Sequence, residues 1–446
     1  MADSQPPPVR SPPYADYLYG LYRGRLLADQ PPITTTDPVA LEEQARKAMH
    51  DRPAAFGYIA GGAGSGSTMT ANRRALDSWA LVPRIMRSPR SATEPGADLR
   101  TTLFGNGGKI PPIHLQSPVV MAPVGVQSAY HPDRELGTAA ACAELDVPYC
   151  ISTASSSTIE EIAEAIQSAN DESSAWYQLY WPKDDEITAS LLSRARASGC
   201  RVLVVTVDTF TISWRPTDLD AGYLPFITTG EGNAIGFSDP IFRKKLAEDG
   251  EEGEEPATPE SSPLAAALRW TSEAFPRHGR PWADLATLRR LWGDDGAILI
   301  KGVLHPEDAL LARKYGADGV VVSNHGGRQV DGAVASLAVL PEVVKAVRDA
   351  ENGDRNRHSP FTILFDSGIR TGADVVKAVC LGAQAVLVGR PVIYGLGIAG
   401  QEGAKHVLAG LLADLDQTMS LIGCASLADL GPHMLRPQGL EFKSSL

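Results

Sequence analysis

Residues 297–324 read AILIKGVLHPEDALLARKYGADGVVVSN. Two runs rich in Val, Ile and Leu, at 297–303 and 319–324, lie on either side of PEDALLARKYG, which has the composition of a helix. Neither run alternates cleanly between apolar and polar residues, and this is typical of strands that are covered on both faces. The stretch therefore predicts a strand–helix–strand unit of a parallel sheet.

The same unit recurs along most of the chain. Segments of helical composition, such as TIEEIAEAIQ and GADVVKAVCLG, separate further apolar runs of this kind. Eight units in series predict an α/β protein with a closed (β/α)₈ barrel, the TIM barrel, and leave an open doubly wound sheet as the alternative. The eight runs are VVMAPVGV at 119–126, YCIST at 149–153, WYQLY at 176–180, VLVVTVD at 202–208, AILIKGV at 297–303, GVVVSN at 319–324, TILFDSG at 362–368 and AVLVGR at 385–390.

The barrel is expected to span residues 41–446, after a Pro-rich and extended arm at 1–40 that is either disordered or laid over another surface. A Gly-rich loop, FGYIAGGAGSGS, is expected at 56–67. The fourth and fifth runs are separated by an insertion at about 209–296, whose segment EDGEEGEEPATPESSP is too acidic to bury a core. We expect a surface loop on the face where barrel active sites lie, either a lid or a solvated insertion. A shorter polar insertion at 352–359 is expected on the opposite face.

Composition argues against several classes of partner. The 446 residues carry a formal net charge of -12, and an acidic surface repels nucleic acid and anionic lipid. No run is long and apolar enough to span a bilayer, and the first residues lack a secretory apolar region. The five cysteines are scattered without C-x-x-C spacing, which favours a reducing compartment such as the cytoplasm and supports neither disulfides nor a metal site. The final Ser444-Ser445-Leu446 loosely resembles the peroxisomal S-K-L signal, so the peroxisome is the alternative.

Glycine and polar residues cluster where the apolar runs end, and barrel catalytic groups come from these ends. The seventh and eighth runs each lead into a glycine and an arginine, Arg370 and Arg390. Loops after these two strands often bind phosphate, because glycine permits close approach and a guanidinium can bond two phosphate oxygens. The pattern predicts a phosphate-containing ligand, although each glycine–arginine pair alone is also typical of a surface turn.

Lys301, His325 and Asp208 are the candidate reactive groups. Lys301 ends an apolar strand at the barrel mouth and needs an anionic partner there, either a reduced flavin or a barrel carboxylate. His325, in a Gly-rich turn, has a side chain suited to taking a proton near neutral pH, and Asp208 can stabilise its charged form. A single histidine in a turn is more often structural, and Asp208 is equally suited to a structural hydrogen bond.

Three motifs are more specific: SNHGGRQ at 323–329, LFDSGIRTGADVVKA at 364–378 and GRP at 389–391. They resemble the FMN-dependent 2-hydroxy-acid oxidase and dehydrogenase family, and the likeness runs from about residue 40 to residue 428. Within that family, YQLYWPKD at 177–184 and the long segment after the fourth strand are similar to the lactate 2-monooxygenase subgroup. The resemblance implies a TIM barrel, FMN as cofactor and a homo-oligomer.

Residue roles carry over from the resemblance to the matching positions. It implies that Tyr58, Arg215 and Arg328 bind the substrate carboxylate and that Tyr180 lies near the substrate hydroxyl or carboxylate. By residue type alone, the two tyrosines are equally suited to packing and Arg215 to a surface contact. The implied FMN contacts are Pro123, Val124, Gly125, Ser152, Gln178, Thr206, Lys301 and Ser323, with the phosphate at Asp366, Ser367, Gly368, Ile369, Arg370, Gly389 and Arg390.

The resemblance also makes His325 the catalytic base, with Asp208 as its partner. Two positions depart from the family pattern. Ala154 stands where glycolate-oxidising relatives carry a bulky aromatic residue, so the space fits lactate or a larger side chain. Ser65 replaces an acidic residue that is usual after Gly-Ala-Gly.

The implied reaction is oxidation of a small L-2-hydroxy acid, lactate-like, with O₂ as acceptor and oxidative decarboxylation. The alternatives are an oxidase that releases keto acid and H₂O₂, and a dehydrogenase with another electron acceptor. An alternative from a different class is a non-redox phosphate-binding barrel.

Overall fold

A computed structural model describes residues 14–87, 96–105, 110–173, 175–249, 256–353 and 360–438. Eight parallel strands close into a barrel in chain order, so the predicted TIM barrel is confirmed and the open sheet is excluded. Each barrel strand coincides with one of the predicted apolar runs. The strands are β1 (Trp79–Leu81), β2 (Thr101–Leu103), β3 (Ile113–Leu115), the barrel strands β4 (Val119–Met121), β5 (Tyr149–Ser152), β6 (Ala175–Leu179), β7 (Val202–Thr206), β8 (Ala297–Val303), β9 (Gly319–Val322), β10 (Thr362–Phe365) and β11 (Ala385–Val388), and β12 (Leu435–Pro437).

Helices surround the barrel and fill the insertion after β7. They are α1 (Asp16–Ala28), α2 (Ala40–Ala48), α3 (Pro53–Ala60), α4 (Ser67–Asp77), α5 (Arg134–Ala143), α6 (Ile159–Ala169), α7 (Asp185–Ala197), α8 (Pro216–Asp220), α9 (Pro225–Thr228), α10 (Ala234–Phe237), α11 (Pro240–Glu248), α12 (Pro263–Ala274), α13 (Leu285–Trp292), α14 (Pro306–Lys314), α15 (Ser336–Asn352), α16 (Gly372–Cys380) and α17 (Arg390–Leu421). Each barrel strand is followed by at least one helix before the next strand begins, which gives the (β/α)₈ order. Within the described part of the chain, no helix has the length and hydropathy needed to cross a membrane.

A short hairpin closes one end of the barrel. β2 and β3 pair antiparallel, and their residues Leu103 and Leu115 belong to the same buried cluster as the strand-starting residues Val202, Ala297 and Ala385. The amino-terminal end of the barrel is therefore filled by apolar side chains. The carboxyl ends of the strands remain available for polar groups, as barrel enzymes require.

The expectation of an extended arm at residues 1–40 is wrong for residues 16–28. Residues 16–28 form α1, because this stretch contains none of the prolines that cluster on either side of it. The helix has no buried residue, and it is anchored by a 2.6 Å hydrogen bond between the Tyr17 hydroxyl and Nδ1 of His406. Residues 1–13 and the sequence Ser444-Ser445-Leu446 lie outside the described residues.

Two loop expectations also need correction. Of the Gly-rich stretch 56–67, only 61–66 is loop, because its apolar start belongs to α3 and its last residue begins α4. The insertion is largely helical, with α8 to α12, and it buries Phe226, Phe242 and Trp270. These apolar side chains give the insertion its own packing against the barrel. The acidic residues 250–255 and the polar residues 354–359 lie outside the described part.

Candidate active site

Most of the predicted site residues meet in one cavity at the carboxyl end of the barrel. Four further predicted residues lie behind this surface. Gln178 bonds to Ser152, Asp208 to His325, and Ser323 to Lys301. Thr206 lies opposite Lys301 where β7 and β8 pair. The predicted residues that line the cavity are Tyr58, Pro123, Val124, Gly125, Ser152, Tyr180, Arg215, Lys301, His325, Arg328, Asp366, Ser367, Gly368, Ile369, Arg370, Gly389 and Arg390.

His325 and Asp208 form a hydrogen-bonded pair at the ends of β9 and β7. His325 has a φ of 57°, a left-handed conformation that turns the chain directly after the strand. Its Nδ1 lies 2.9 Å from Oδ1 of Asp208. The hydroxyl of Thr209, which sequence reasoning missed, lies 3.0 Å from the same Nδ1 and donates to Oδ1 of Asp208 at 2.8 Å. Because a carboxylate only accepts, we assign the proton to Nδ1, and Nε2 is left to accept a proton.

The surrounding charges keep Asp208 ionised and His325 neutral. Burial alone raises the pKa of Asp208, but the interaction with His325, the charge of Lys301 and the hydrogen bonds lower this pKa to about 2. Burial lowers the pKa of His325, and the charges of Lys301 and Arg215 lower it further against the opposing effect of Asp208. At neutral pH the imidazole is therefore uncharged, the form in which it can act as a base.

Two guanidinium groups share the ring of Tyr58. The central carbons of Arg215 and Arg328 lie 5.9 Å and 5.0 Å from the ring centroid. Nη1 of Arg328 donates to the carbonyl oxygens of Tyr58 at 2.6 Å and Gly61 at 3.0 Å, which fixes the guanidinium. Burial and the charge of Arg328 lower the pKa of Arg215, although Asp218 lies 3.8 Å from Arg215. The cavity thus has excess positive charge, which a bound carboxylate would offset.

Arg370 and Arg390 extend this positive charge to the ends of β10 and β11. Arg390 donates from Nε to the carbonyl oxygen of Ile59 and from Nη1 to that of Gly326, each at 2.9 Å. Burial and the charges of Arg328 and Arg370 lower the pKa of Arg390 to about 9. Burial also lowers the pKa of Arg370. Two crowded guanidinium groups at this end of the cavity suit a phosphate group.

Lys301 has the carboxylate partner that sequence reasoning left open. Its Nζ lies 3.2 Å from Oδ2 of Asp366 and donates to the Ser323 hydroxyl at 3.0 Å. Burial lowers the pKa of Lys301, but the charges of Asp366 and Asp208 raise it by more. The pKa therefore lies above its ordinary value, and the ammonium stays charged. The carboxylate of Asp366 repels phosphate. Within the segment 366–370, the groups suited to contact a phosphate are therefore the backbone and Arg370.

Buried polar atoms test whether these residues fit FMN. Among the described residues, Nε2 of Gln178 and Oγ1 of Thr206 are buried without a hydrogen-bond partner. Buried groups of this kind need a ligand or a water to bond to them. The flavin ring offers carbonyl oxygens and an N–H group along one edge, and FMN adds a phosphate for Arg370 and Arg390. The donor set therefore fits FMN.

The insertion supplies an apolar wall that sequence reasoning missed. Phe226 and Phe275 line the cavity beside Tyr180, and the ring of Phe275 lies 5.5 Å from that of Phe226 and 5.2 Å from that of Tyr180. An apolar run in the insertion, LPF at 224–226, was the available signal for Phe226. Tyr130 also lines the cavity, and its sequence context, QSAYHPD at 127–133, gave no signal of this position.

The fold and the site together define a barrel oxidoreductase that carries a flavin nucleotide. A family model described as FMN-dependent dehydrogenase matches residues 45–437. The chain belongs to this family, the FMN-dependent α-hydroxy acid dehydrogenases and oxidases. It is therefore an oxidoreductase that uses FMN.

Individual relatives cover nearly the whole chain. An FMN-dependent α-hydroxy acid dehydrogenase of Penicillium citrinum is 48% identical over 430 residues, which are 96% of this chain and 97% of that protein. An L-lactate oxidase of Lysinibacillus sphaericus is 34% identical over 409 residues, 91% of this chain and 95% of that protein. The crystal structure of mandelate oxidase with (S)-4-hydroxymandelic acid superposes with a TM-score of 0.71 at 32% identity, covering 90% of this chain and 98% of that one. The narrower resemblance to lactate 2-monooxygenase stays a prediction.

Proposed function

We propose that this chain oxidises a small L-2-hydroxy acid of the lactate type and that O₂ accepts the electrons. The observation that carries the proposal is the neutral His325, bonded to Asp208, in the same cavity as Arg215 and Arg328. A hydroxyl group next to a carboxylate requires both a base and paired guanidinium groups. FMN, when bound, supplies the two-electron acceptor.

The proposed roles follow from these contacts. The guanidinium groups of Arg215 and Arg328 bind the substrate carboxylate, and the hydroxyl of Tyr58 is suited to donate to it. His325 takes the hydroxyl proton on Nε2. Asp208, 2.9 Å from Nδ1, then stabilises the imidazolium that forms. The bound substrate thus has its carboxylate and its hydroxyl fixed by separate groups, which orients C2.

The products depend on how long the keto acid stays in the cavity. We propose oxidative decarboxylation of the lactate 2-monooxygenase type, in which lactate and O₂ give acetate, CO₂ and water. Oxidation first yields pyruvate and H₂O₂; the peroxide then adds to the retained pyruvate, whose carboxyl group leaves as CO₂. The aromatic wall of Phe226 and Phe275 supports this proposal, because a part of the insertion that lies against the cavity can slow the release of product. Early release gives the oxidase outcome, which the similarity to an L-lactate oxidase favours.

Product analysis in air tests the proposal. With L-lactate, we expect one acetate for each O₂ consumed and no free peroxide. Equal amounts of pyruvate and peroxide would replace the monooxygenase proposal by the oxidase. Reduction of an artificial electron acceptor without consumption of O₂ would overturn O₂ as the acceptor. D-lactate is the control, and we expect no turnover with it.

A further inference from the structure

Tyr130 has a buried hydroxyl group that no described residue satisfies. Its side chain is 0% exposed, and it lines the same cavity as His325 and Arg328. A phenylalanine would fill the same space without leaving a polar atom unpaired. The hydroxyl is therefore either a destabilising feature of the fold or a group whose partner is a ligand or a bound water.

The backbone of Tyr130 is fixed at both of its polar groups. The residue follows the turn Gln127–Ala129, and its N–H donates to the carbonyl oxygen of Gln127 at 3.0 Å. Its own carbonyl oxygen accepts a hydrogen bond from Nη1 of Arg52 at 2.7 Å. A movement of this segment away from the cavity would break the hydrogen bond to Arg52. The hydroxyl is thus held in place before any ligand arrives.

The hydroxyl lies in the electrostatic environment of the carboxylate-binding groups. Burial raises the pKa of Tyr130 well above its usual value, so the group is protonated and can donate. Tyr58 and Arg328 are among the charged and titratable groups that act on it, together with Tyr223 and Asp218. Tyr58 and Arg328 are also the residues that we propose as ligands of the substrate carboxylate.

We propose that Tyr130 donates a hydrogen bond to the carboxylate of the bound 2-hydroxy acid and is a further substrate-binding residue. This rests on the proposed function, which places a carboxylate beside Arg328. A carboxylate offers about four acceptor positions, and one hydrogen bond each from Arg215, Arg328 and Tyr58 leaves room for a further neutral donor. A neutral donor orients the carboxylate without adding to the positive charge of Arg215 and Arg328.

The test is Tyr130→Phe in the FMN-loaded enzyme, with Tyr177→Phe as the matched control. Tyr177 is also 0% exposed, and its hydroxyl, 3.5 Å from that of Thr153, lies outside the cavity lining. Steady-state kinetics give the KM for L-lactate, and the change in flavin absorbance gives the Kd for pyruvate, which shares the carboxylate and lacks the hydroxyl. We expect both constants to rise roughly 10- to 100-fold in Tyr130→Phe, since the lost hydrogen bond has a charged acceptor. The thermal unfolding midpoint should stay the same or rise.

Several outcomes would overturn the assignment. Unchanged KM and Kd would show that the hydroxyl does not bind substrate. A higher KM for L-lactate with an unchanged Kd for pyruvate would assign the hydrogen bond to the substrate hydroxyl instead. A lower unfolding midpoint with unchanged constants would make Tyr130 purely structural. Failure of the proposed function itself is distinguishable, because the wild-type enzyme would then bind neither L-lactate nor pyruvate.

Discussion

At the scale of single residues, the protonation state of His325 controls what the site can do. The imidazole is partly buried among positive groups and bonded through Nδ1 to Asp208 at 2.9 Å. The positive groups disfavour a second proton in the resting site, and the carboxylate would stabilise that proton when it comes, as we propose, from the substrate. A group that is neutral at rest and stabilised when charged is suited to proton abstraction.

Replacement of His325 by alanine removes the proposed base. We expect kcat/KM for L-lactate to fall by about 10²- to 10⁴-fold, the usual contribution of general base catalysis. FMN content, measured by flavin absorbance of the purified protein, should be unchanged, since the proposed phosphate ligands Arg370 and Arg390 remain. His50→Ala, at an exposed position, should match the wild type. A His325→Ala enzyme with near-normal kcat/KM would refute the role of this residue.

The pH dependence of kcat/KM reports the same group. Protonation of His325 removes the acceptor, and its pKa is lowered from the ordinary value of 6.5, so the acid limb of kcat/KM should be centred below pH 6.5. In Asp208→Asn the carboxylate that raises this pKa is absent, so the acid limb should move to still lower pH. The maximum rate should also fall, because nothing then stabilises the imidazolium. A wild-type acid limb centred above pH 6.5 would contradict the assignment.

At the scale of elements, the loop 61–66 between α3 and α4 forms hydrogen bonds to the two segments that carry Arg215 and Arg328. The N–H of Ala63 donates to the carbonyl oxygen of Gly327, and the N–H of Gly64 to that of Trp214, both at 2.9 Å. Gly327 and Trp214 directly precede Arg328 and Arg215, the two arginines that we propose as substrate ligands. The loop therefore sets the spacing of these arginines, which determines how a carboxylate fits between them.

Asp331 ties this loop to the segment after β9. Its carboxylate accepts hydrogen bonds from the N–H and hydroxyl of Ser65, both at 2.7 Å, and from the N–H at 2.9 Å and the hydroxyl at 2.6 Å of Ser67. These donors lower the pKa of Asp331. Ser65, the departure from the family pattern, therefore acts as a donor to this carboxylate. A negative charge at this position would repel Asp331.

Loss of the hydrogen bonds of Asp331 should make the distance between Arg215 and Arg328 more variable and leave the proposed base, His325, in place. In Asp331→Ala we expect the KM for L-lactate to rise by about tenfold, with a smaller change in kcat and unchanged FMN content. Steady-state kinetics and flavin absorbance measure these quantities. Asp349→Ala removes an exposed carboxylate paired with Lys345 and should leave KM unchanged. Equal KM values in the two variants would show that the hydrogen bonds of Asp331 do not position Arg215 and Arg328.

The barrel was predictable from sequence because parallel strands covered on both faces are continuous apolar runs, as in β7. α1 was not predictable, since none of its residues is buried and its anchor, His406, lies far along the chain. The meeting of His325 and Asp208 could be expected from their positions at strand ends. The role proposed for Tyr130 could not be predicted from sequence. It rests on a buried hydroxyl that has no hydrogen-bond partner among the described residues, and only the structure shows this.

At the scale of the whole molecule, the fold concentrates positive charge inside an acidic protein. The formal net charge is -12, yet Lys301 and the four arginines of the cavity converge at the carboxyl end of the barrel. The β2–β3 hairpin fills the opposite end with apolar side chains. An anionic substrate and a phosphate-bearing cofactor are therefore attracted by the local field of this cavity and not by the protein as a whole.

The central claim is that a 2-hydroxy acid delivers its electrons to the flavin in this cavity. The most direct test is anaerobic mixing of the FMN-loaded protein with L-lactate while the visible absorbance of the flavin is followed. We predict rapid bleaching in the wild type, with one pyruvate formed for each flavin, and bleaching slowed at least a hundredfold in His325→Ala, about the lower limit for loss of a general base. A flavin that keeps its colour at all concentrations of L-lactate would contradict the claim.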